Sequence, residues 1–259
     1  GSIFSVDTFV MKKAVIYTSL TGGYDNLPQY EVLDDYFDYI CFTNDYPEGS
    51  RVGQWKIRSI PVQLADNTRL SRYVKLMPHA VFPDYEYSVW LDANLAITDS
   101  SIYDILKSHI SAGEFWCAVK HPLRDCIYEE ARACILIGKA AFNEIQPFTK
   151  FLKSKHYPRK FGLFENNFIL RKHNDGAIKA IDDDWWSIYM AYSKRDQLSL
   201  CFLFWKHGFK PTLLLPEGVS TRNISAIKYT SHECVPKRKR RKFLLYWGNR
   251  IRLLFSSSF

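Results

Sequence analysis

The sequence lacks several features that define common classes of protein. Its 259 residues contain no run of about 20 apolar residues without charges, so no membrane-spanning helix is predicted. Residues 1–10 lack the basic-then-apolar order of a secretion signal. There is also no GxGxxG motif, no internal repeat and no long low-complexity linker. These absences favour one domain without a dinucleotide-binding fingerprint.

The six cysteines form no CxxC pair, which argues against a zinc ribbon or a thioredoxin-like redox motif. They are scattered, mostly within apolar runs: Cys41, Cys117, Cys126, Cys134, Cys201 and Cys234. Buried, reduced thiols are the simplest interpretation and favour a reducing compartment. A set of disulfides is the alternative.

Acidic residues are absent from the C-terminal segment. Eight basic residues and no acidic one lie between residue 237 and the end, and the whole chain carries a net charge of +8. Residues 1–236 are therefore close to neutral. A general nucleic-acid-binding surface on the body of the protein is not expected.

The basic segment continues into an apolar and aromatic one. Residues 237–242 are all cations, and residues 243–255 are rich in Leu, Phe, Tyr and Trp. As a helix, this pattern predicts attachment of residues 237–255 to an anionic membrane surface, where each cation contributes about 1 kcal/mol. The alternatives are a solvated end and a nuclear-import signal. We expect a cytoplasmic protein, peripheral at the inner face of the membrane, with a domain over 11–235 and a basic amphipathic tail over 236–259.

Within the body, short apolar runs alternate with helical patterns. Hydrophobic residues make up 47% of the chain, which is ample for a large core. Strands that alternate with helices indicate α/β layering. The sequence therefore predicts a single α/β domain with a mostly parallel central sheet flanked by helices.

The strand predicted over residues 88–91 ends abruptly at Asp92 and Asn94. Ligands of open α/β sheets bind just beyond the carboxyl ends of such strands. Both side chains carry oxygen, which hard cations prefer and which leaves room for a substrate phosphate. The pattern therefore indicates a divalent-metal site, with an ordinary turn as the alternative.

Two further segments suit a phosphorylated ligand. A strand over residues 14–19 leads into a loop with Gly22 and Gly23, where backbone N–H groups can approach a nucleotide closely, unless it is only a tight turn. Arg72 and Lys75 share one face of the helix predicted over residues 67–79. That face complements a diphosphate, although a solvated basic face is equally compatible with the sequence.

Reactive side chains also lie beside other predicted elements. His121 and Arg124 follow a predicted strand, and Glu165 precedes another. Asp196 lies just before the N-terminal end of an apolar helix predicted over residues 198–207. The acidic run 182–184 could suggest a cation site, but successive helical side chains point about 100° apart and cannot all share one ion. A solvated turn or an acidic turn at a helix N-terminus is predicted instead.

Seven motifs together resemble the glycosyltransferase-like proteins catalogued as domain of unknown function 616. They are residues 17–25, 41–44, 71–79, 88–92, 121–124, 185–186 and 195–199. The resemblance covers roughly residues 14–233 and implies a GT-A-type glycosyltransferase that uses a nucleotide sugar.

The resemblance also implies roles for individual residues. Asp92 would lead the metal site for Mn²⁺ or Mg²⁺, and His232 would complete it. Asn94 stands where the family has a second acid, so it would hold a cation less tightly. The donor-binding set comprises Thr18, Leu20, Thr21, Arg72, Lys75 and Asp92.

For the transfer itself, an inverting enzyme needs a carboxylate that takes the proton from the acceptor hydroxyl. Asp196 is the first candidate for this base and Glu165 the second, although Asp196 also suits a helix cap or a partner of Arg195. His121 and Arg124 are candidates for binding the acceptor or a phosphate, with a structural turn as the alternative.

The predicted function is transfer of a sugar from a nucleoside-diphosphate sugar, UDP-linked by expectation, to a hydroxyl of a glycan acceptor. The membrane-binding tail favours a lipid-linked acceptor, as in O-antigen or capsule assembly. The alternatives are a metal-dependent hydrolase on the same cleft and a non-catalytic, membrane-bound sugar- or nucleotide-binding module.

Overall fold

The computed structural model describes residues 14–23, 27–192, 194–230, 239–254 and 256, with only the backbone of residues 239–244. The strands are β1 (Ala14–Ser19), β2 (Phe37–Phe42), β3 (Arg51–Val52), β4 (Trp55–Arg58), β5 (Tyr87–Leu91), β6 (Leu95–Ile97), β7 (Trp116–Lys120), β8 (Phe164–Arg171), β9 (Thr212–Leu213) and β10 (Ile227–Tyr229). The helices are α1 (Asn67–Leu76), α2 (Pro78–Val81), α3 (Ser101–Ser111), α4 (Ile127–Leu136), α5 (Phe142–Ser154), α6 (Gly176–Ala191), α7 (Leu200–Lys206) and α8 (Lys239–Leu254), with a 3₁₀ turn at Asp196–Leu198. None of the helices in these ranges has the length and apolar composition to cross a membrane.

Eight strands form the central sheet in the order β3-β4-β2-β1-β5-β8-β7-β9. Four neighbouring pairs in this sheet are parallel, namely β4–β2, β2–β1, β1–β5 and β7–β9. The other three pairs are antiparallel, and two of them involve β8. The prediction of an α/β domain with a mostly parallel central sheet is confirmed.

Both faces of the sheet are covered. Successive residues of a strand point to opposite faces, and each face contributes to its own buried cluster. Val15 and Tyr17 of β1 belong to a buried cluster that includes side chains of α1, α4, α5, α6 and α7. Ala14 and Ile16 belong to a second cluster, which includes α3. The fold therefore has a helical layer on each side of the sheet.

Strand β8 contains Glu165, which the sequence predicted just before a strand. Glu165, Asn166 and Asn167 lie inside β8, in its first half. Since β8 is antiparallel to β5, with Leu91 opposite Phe168, this first half lies at the sheet edge where β5 ends. Strands β6 and β10 pair antiparallel in a small second sheet.

The prediction of a solvated acidic turn at residues 182–184 was wrong for Asp182. This residue lies in the middle of α6 and is completely buried. Its Oδ1 accepts a hydrogen bond from Nη1 of Arg171 at 2.7 Å, and Arg171 is also fully buried. Nη2 of Arg171 donates to the Tyr17 hydroxyl at 3.0 Å and to the backbone carbonyl of Lys75 at 2.5 Å. This network fixes α1 and α6 against the sheet.

Replacing Asp182 by Ala should lower the free energy of unfolding by about 3–5 kcal/mol, because the guanidinium of Arg171 would stay buried without its carboxylate. Urea unfolding at neutral pH measures the loss. The matched control is Asp183→Ala on the same helix, where the side chain is 60% exposed, and its effect should stay below about 1 kcal/mol. Equal losses in the two variants would contradict the assigned role of the buried pair.

Candidate active site

A cavity of about 350 Å³ lies at the sheet edge where β5 and β7 end and β8 begins. Its lining contains six basic side chains and four carboxylates, an excess of two positive charges. The basic residues are Arg72, Lys75, Arg124, Lys139, Arg195 and Arg222, and the acidic ones are Asp92, Glu130, Glu165 and Asp196. Such a site is suited to a polar, anionic ligand.

The segment after β5 is both a turn and part of the cavity wall. The backbone N–H of Leu95 donates to the carbonyl of Asp92 at 2.9 Å, which closes the turn before β6. The N–H of Asp92 donates to the carbonyl of Asn167 in β8 at 2.9 Å. The side chains of Asp92 and Asn94 line the cavity. The sequence offered two interpretations of Asp92 and Asn94, a ligand site and an ordinary turn, and the two are therefore compatible.

Lys75 connects three parts of the site although its side chain is only 1% exposed. Its ammonium Nζ lies 2.6 Å from Oδ2 of Asp196 and 3.4 Å from Oδ1 of Asp92. It also lies 5.4 Å from the ring centroid of Trp90, within range of a cation–π contact. A buried ammonium is tolerated when anions of this kind compensate its lost hydration.

Asp196 is held as a carboxylate by its neighbours. Burial alone would raise its pKa, but the positive charges of Lys75 and of Arg72, whose Nε lies 3.7 Å away, lower the pKa to about 2. Because this pKa lies below the usual value of about 4, the carboxylate stabilises the fold above that pH. The stabilisation is lost as the pH falls toward 2.

Glu165 has the opposite environment. Its side chain is 6% exposed, and burial raises its pKa above the usual range, with Arg222 opposing this shift. Nε of Arg222 lies 3.6 Å from Oε1, and Oε2 has no hydrogen-bond partner within the described residues. Beside it, Asn166 is 5% exposed, and both polar atoms of its amide lack a partner in that same set. Both residues line the cavity, and the described residues leave the hydrogen-bonding capacity of these buried atoms unused.

His121 lies at the end of β7 and belongs to a cluster with Arg124 and Glu130. Its Nδ1 accepts hydrogen bonds from the backbone N–H groups of Leu123 at 3.2 Å and Arg124 at 3.0 Å. Burial lowers the pKa of the imidazole, so it is neutral at pH 7 with its proton on Nε2. The guanidinium Nε of Arg124 donates to Oε2 of Glu130, which is itself buried.

The cavity brings together eight of the residues predicted from sequence. They are Arg72, Lys75, Asp92, Asn94, His121, Arg124, Glu165 and Asp196. Their roles stay predictions. Sequence reasoning did not select Glu130, Lys139, Asn166, Asn167, Arg222 and Tyr229, which also line the cavity.

Three predicted donor-binding residues do not line this cavity. Thr18 is fully buried in β1, and Leu20 is 5% exposed. Oγ1 of Thr21 donates to the backbone carbonyl of Asn67 at 3.0 Å and so connects the loop to α1. His232, the predicted late metal ligand, lies outside the described residues.

A metal site made by the protein alone is not visible in the described ranges, which contain no cluster of three or more His, Cys, Asp or Glu side chains suited to a metal. Asp92 and Asn94 nevertheless share one wall of the cavity. Oδ1 of Asp92 already accepts from Nε1 of Trp90 at 2.7 Å. These oxygens fit a hard cation that takes most of its other ligands from a diphosphate and water, as Mg²⁺ commonly does.

The cavity at this edge of the sheet is typical of α/β proteins that bind or transform a ligand beyond their strand ends.

A sequence model of the TOD1/MUCI70 glycosyltransferase-like domain matches residues 25–224. The chain therefore belongs to the TOD1/MUCI70 glycosyltransferase-like family. This confirms the predicted class of glycosyltransferase, whereas the assignment to domain 616 and the GT-A type stay predictions.

Solved glycosyltransferase structures resemble the fold with low sequence identity. The apo structure of the WbbM bifunctional glycosyltransferase has a TM-score of 0.45 and 12% identity, covering 94% of this chain and 45% of that one. Core-mannan synthase A (CmsA/Ktr4) from Aspergillus fumigatus, in its Mn/GDP form, has a TM-score of 0.44 and 9% identity, covering 79% of this chain and 71% of that one. The chain thus spans less than half of the WbbM chain. No match was found among curated protein sequences.

Replacing Lys75 by Met should lower the free energy of unfolding by about 3–5 kcal/mol at pH 7, because Asp196 would keep a buried charge without its main partner. Adding Asp196→Asn removes that charge, and the double variant should recover about 0.5–3 kcal/mol relative to additivity. Lys139→Met is the control: it removes an exposed ammonium from the same cavity and should cost less than about 0.5 kcal/mol. Strict additivity of Lys75→Met and Asp196→Asn in urea unfolding would refute the coupling.

Proposed function

We propose that this glycosyltransferase uses a nucleoside-diphosphate sugar, UDP-linked, whose diphosphate binds between Arg72, Lys75 and Asp92. The observation that carries the proposal is the buried ammonium of Lys75, which lies 3.4 Å from Asp92 at a cavity with an excess of positive charge. Arg72 reaches the same cavity, with a side chain 26% exposed. Fixed cations of this kind stabilise the charge that builds on a departing diphosphate.

Asp92 and Asn94 are the residues that would hold Mn²⁺ or Mg²⁺ beside that diphosphate. When bound, such an ion supplies Lewis-acid stabilisation of the leaving group. Lys75 already neutralises part of the charge of Asp92, and Asn94 contributes no charge. We therefore propose a weakly held ion that binds together with the nucleotide.

Glu165 is the better-suited base, ahead of Asp196. A general base works best when its pKa lies near the working pH. The pKa of Asp196 is about 2, so this carboxylate is a weak proton acceptor at neutral pH. Burial raises the pKa of Glu165, which lines the cavity, and its Oε2 has no hydrogen-bond partner among the described residues. In this proposal Glu165 takes the proton of the acceptor hydroxyl, and Asp196 positions Lys75 and Arg72.

His121, Arg124 and Asn166 line the remaining wall. The neutral imidazole of His121 can donate one hydrogen bond from Nε2, and Arg124 can donate from the nitrogens that do not contact Glu130. We assign His121 and Arg124 to an acceptor or phosphate group and Asn166 to a sugar hydroxyl. The acceptor proposed here is a lipid-linked glycan of the O-antigen or capsule type, met at the cytoplasmic face of a membrane.

Nucleotide binding tests the donor site directly. UDP should raise the melting temperature of the protein more than other nucleoside diphosphates, and Mn²⁺ should increase the shift, since ligands of the native state stabilise it. Arg72→Met and Asp92→Asn should each weaken UDP binding at least tenfold in calorimetry, whereas the exposed Asp84→Asn should bind as the wild type. Equal shifts for all nucleotides, unaffected by Arg72→Met, would contradict this donor site.

Replacing Glu165 by Gln tests the base. Turnover, measured as UDP released from UDP-sugars with a lipid-linked glycan fraction, should fall by about 10²- to 10⁴-fold with UDP affinity unchanged. The acidic limb of the pH–rate profile should disappear with it, because Glu165 titrates there. Glu86→Gln, whose side chain is 46% exposed, is the control and should keep full turnover. Turnover that needs only water and no glycan would instead identify a hydrolase.

A further inference from the structure

The C-terminal helix α8 packs on the body by one face. Nδ2 of Asn249 donates to the backbone carbonyl of Ile135, at the end of α4, at 2.8 Å. Asn249 is 6% exposed, and Leu253 one turn later is 2% exposed. These two positions, four residues apart, define the side of α8 that faces the body.

The opposite side of α8 carries apolar side chains that are partly exposed among the described residues. Trp247, Ile251 and Leu254 are spaced by four and three residues, so they lie on one face of the helix. Their exposed fractions are 43%, 55% and 70%. We call these three residues the outer face. A contiguous exposed apolar surface of this kind marks an interaction site.

The helix that carries the outer face is strongly basic. It contains no acidic residue, and its six cations are Lys239, Arg240, Arg241, Lys242, Arg250 and Arg252. The side chains of Arg250 and Arg252 are exposed, and the guanidinium carbon of Arg250 lies 5.0 Å from the ring centroid of Trp247. A partner must therefore accept apolar groups and positive charge within the same small area.

We propose that the outer face docks on the surface of an anionic lipid bilayer. The side chains of Ile251 and Leu254 would enter the boundary between headgroups and acyl chains, with Trp247 and the adjacent Arg250 at headgroup depth. A second copy of the chain suits the face less well, because a self-complementary contact would bring two sets of six cations together. A nucleic acid would match the cations but leave the apolar groups against phosphate.

The position of α8 has a consequence for the catalytic cavity. Gly138 and Ala140 line a groove of about 680 Å³ between the body and α8, together with Leu245 and Arg252. Lys139, between them in the chain, lines the catalytic cavity. Residues 138–140 therefore separate the cavity from the groove beside α8. The docking of α8 does not rest on the proposed transfer to a lipid-linked acceptor.

Sedimentation of the full chain with vesicles tests the docking. Vesicles of phosphatidylcholine with phosphatidylglycerol should bind the protein, and vesicles of phosphatidylcholine alone should bind it much less. The double variant Ile251→Ser/Leu254→Ser should lower the partition coefficient at least tenfold. The matched control Leu33→Ser/Phe115→Ser removes two apolar side chains that are 53% and 45% exposed elsewhere, and should bind as the wild type.

A charge variant separates the two contributions. Arg250→Gln/Arg252→Gln should weaken binding to the anionic vesicles by about fivefold for each cation removed. Vesicle binding that is insensitive to both double variants would overturn the proposal, as would a dimer or a DNA complex that uses the outer face while vesicles stay unbound. The assay needs no nucleotide, and Asp92→Asn should sediment like the wild type, so failure here leaves the donor site unaffected.

Discussion

The ammonium group of Lys75 is the interaction on which the site depends. It is buried at the end of α1, and it compensates Asp196 at 2.6 Å and Asp92 at 3.4 Å. Its backbone carbonyl also accepts from Arg171 of β8. One residue thus connects the helix, the end of β5, the 3₁₀ turn and the central sheet. The ammonium of Lys75 and the carboxylate of Asp196 would each be costly to bury alone, so the pair stabilises both the local structure and the charge arrangement of the cavity.

The direction of β8 determines which residues share that cavity. In a wholly parallel sheet, the start of a strand lies at the edge away from the ends of its neighbours. Because β8 runs antiparallel to both β5 and β7, its first residues meet the ends of those strands. Glu165 and Asn166 consequently face Asp92 and His121 across one cavity. The reversal of a single strand therefore adds a carboxylate and an amide to a site otherwise built from strand ends.

The parts of this arrangement that the sequence predicts are those with a local signal. The apolar run before Asp92 and the spacing of Arg72 and Lys75 on one helical face were enough to select residues that meet in the cavity. The burial of Asp182 gave no such signal, because its partner Arg171 lies in a different element, β8, and a run of three acids is typical of a solvated segment. The sequence also gave no reason to predict Asn166 as a site residue. Its amide stands out only because the strand direction brings it to the cavity and burial leaves it without hydrogen-bond partners among the described residues.

Glu165 and Asp196 show how one cavity shifts the pKa values of two carboxylates in opposite directions. Both are at least nine-tenths buried, so desolvation acts on each in the same sense and raises the pKa. The difference comes from the cations: Asp196 has Lys75 and Arg72 beside it, whereas Glu165 has, among the described residues, the exposed Arg222 at 3.6 Å. The first is therefore fixed in its charged form, and the second keeps a raised affinity for a proton. Divergent pKa values of neighbouring acids separate a positioning group from a proton acceptor, and on this criterion we propose Glu165, rather than Asp196, as the proton acceptor.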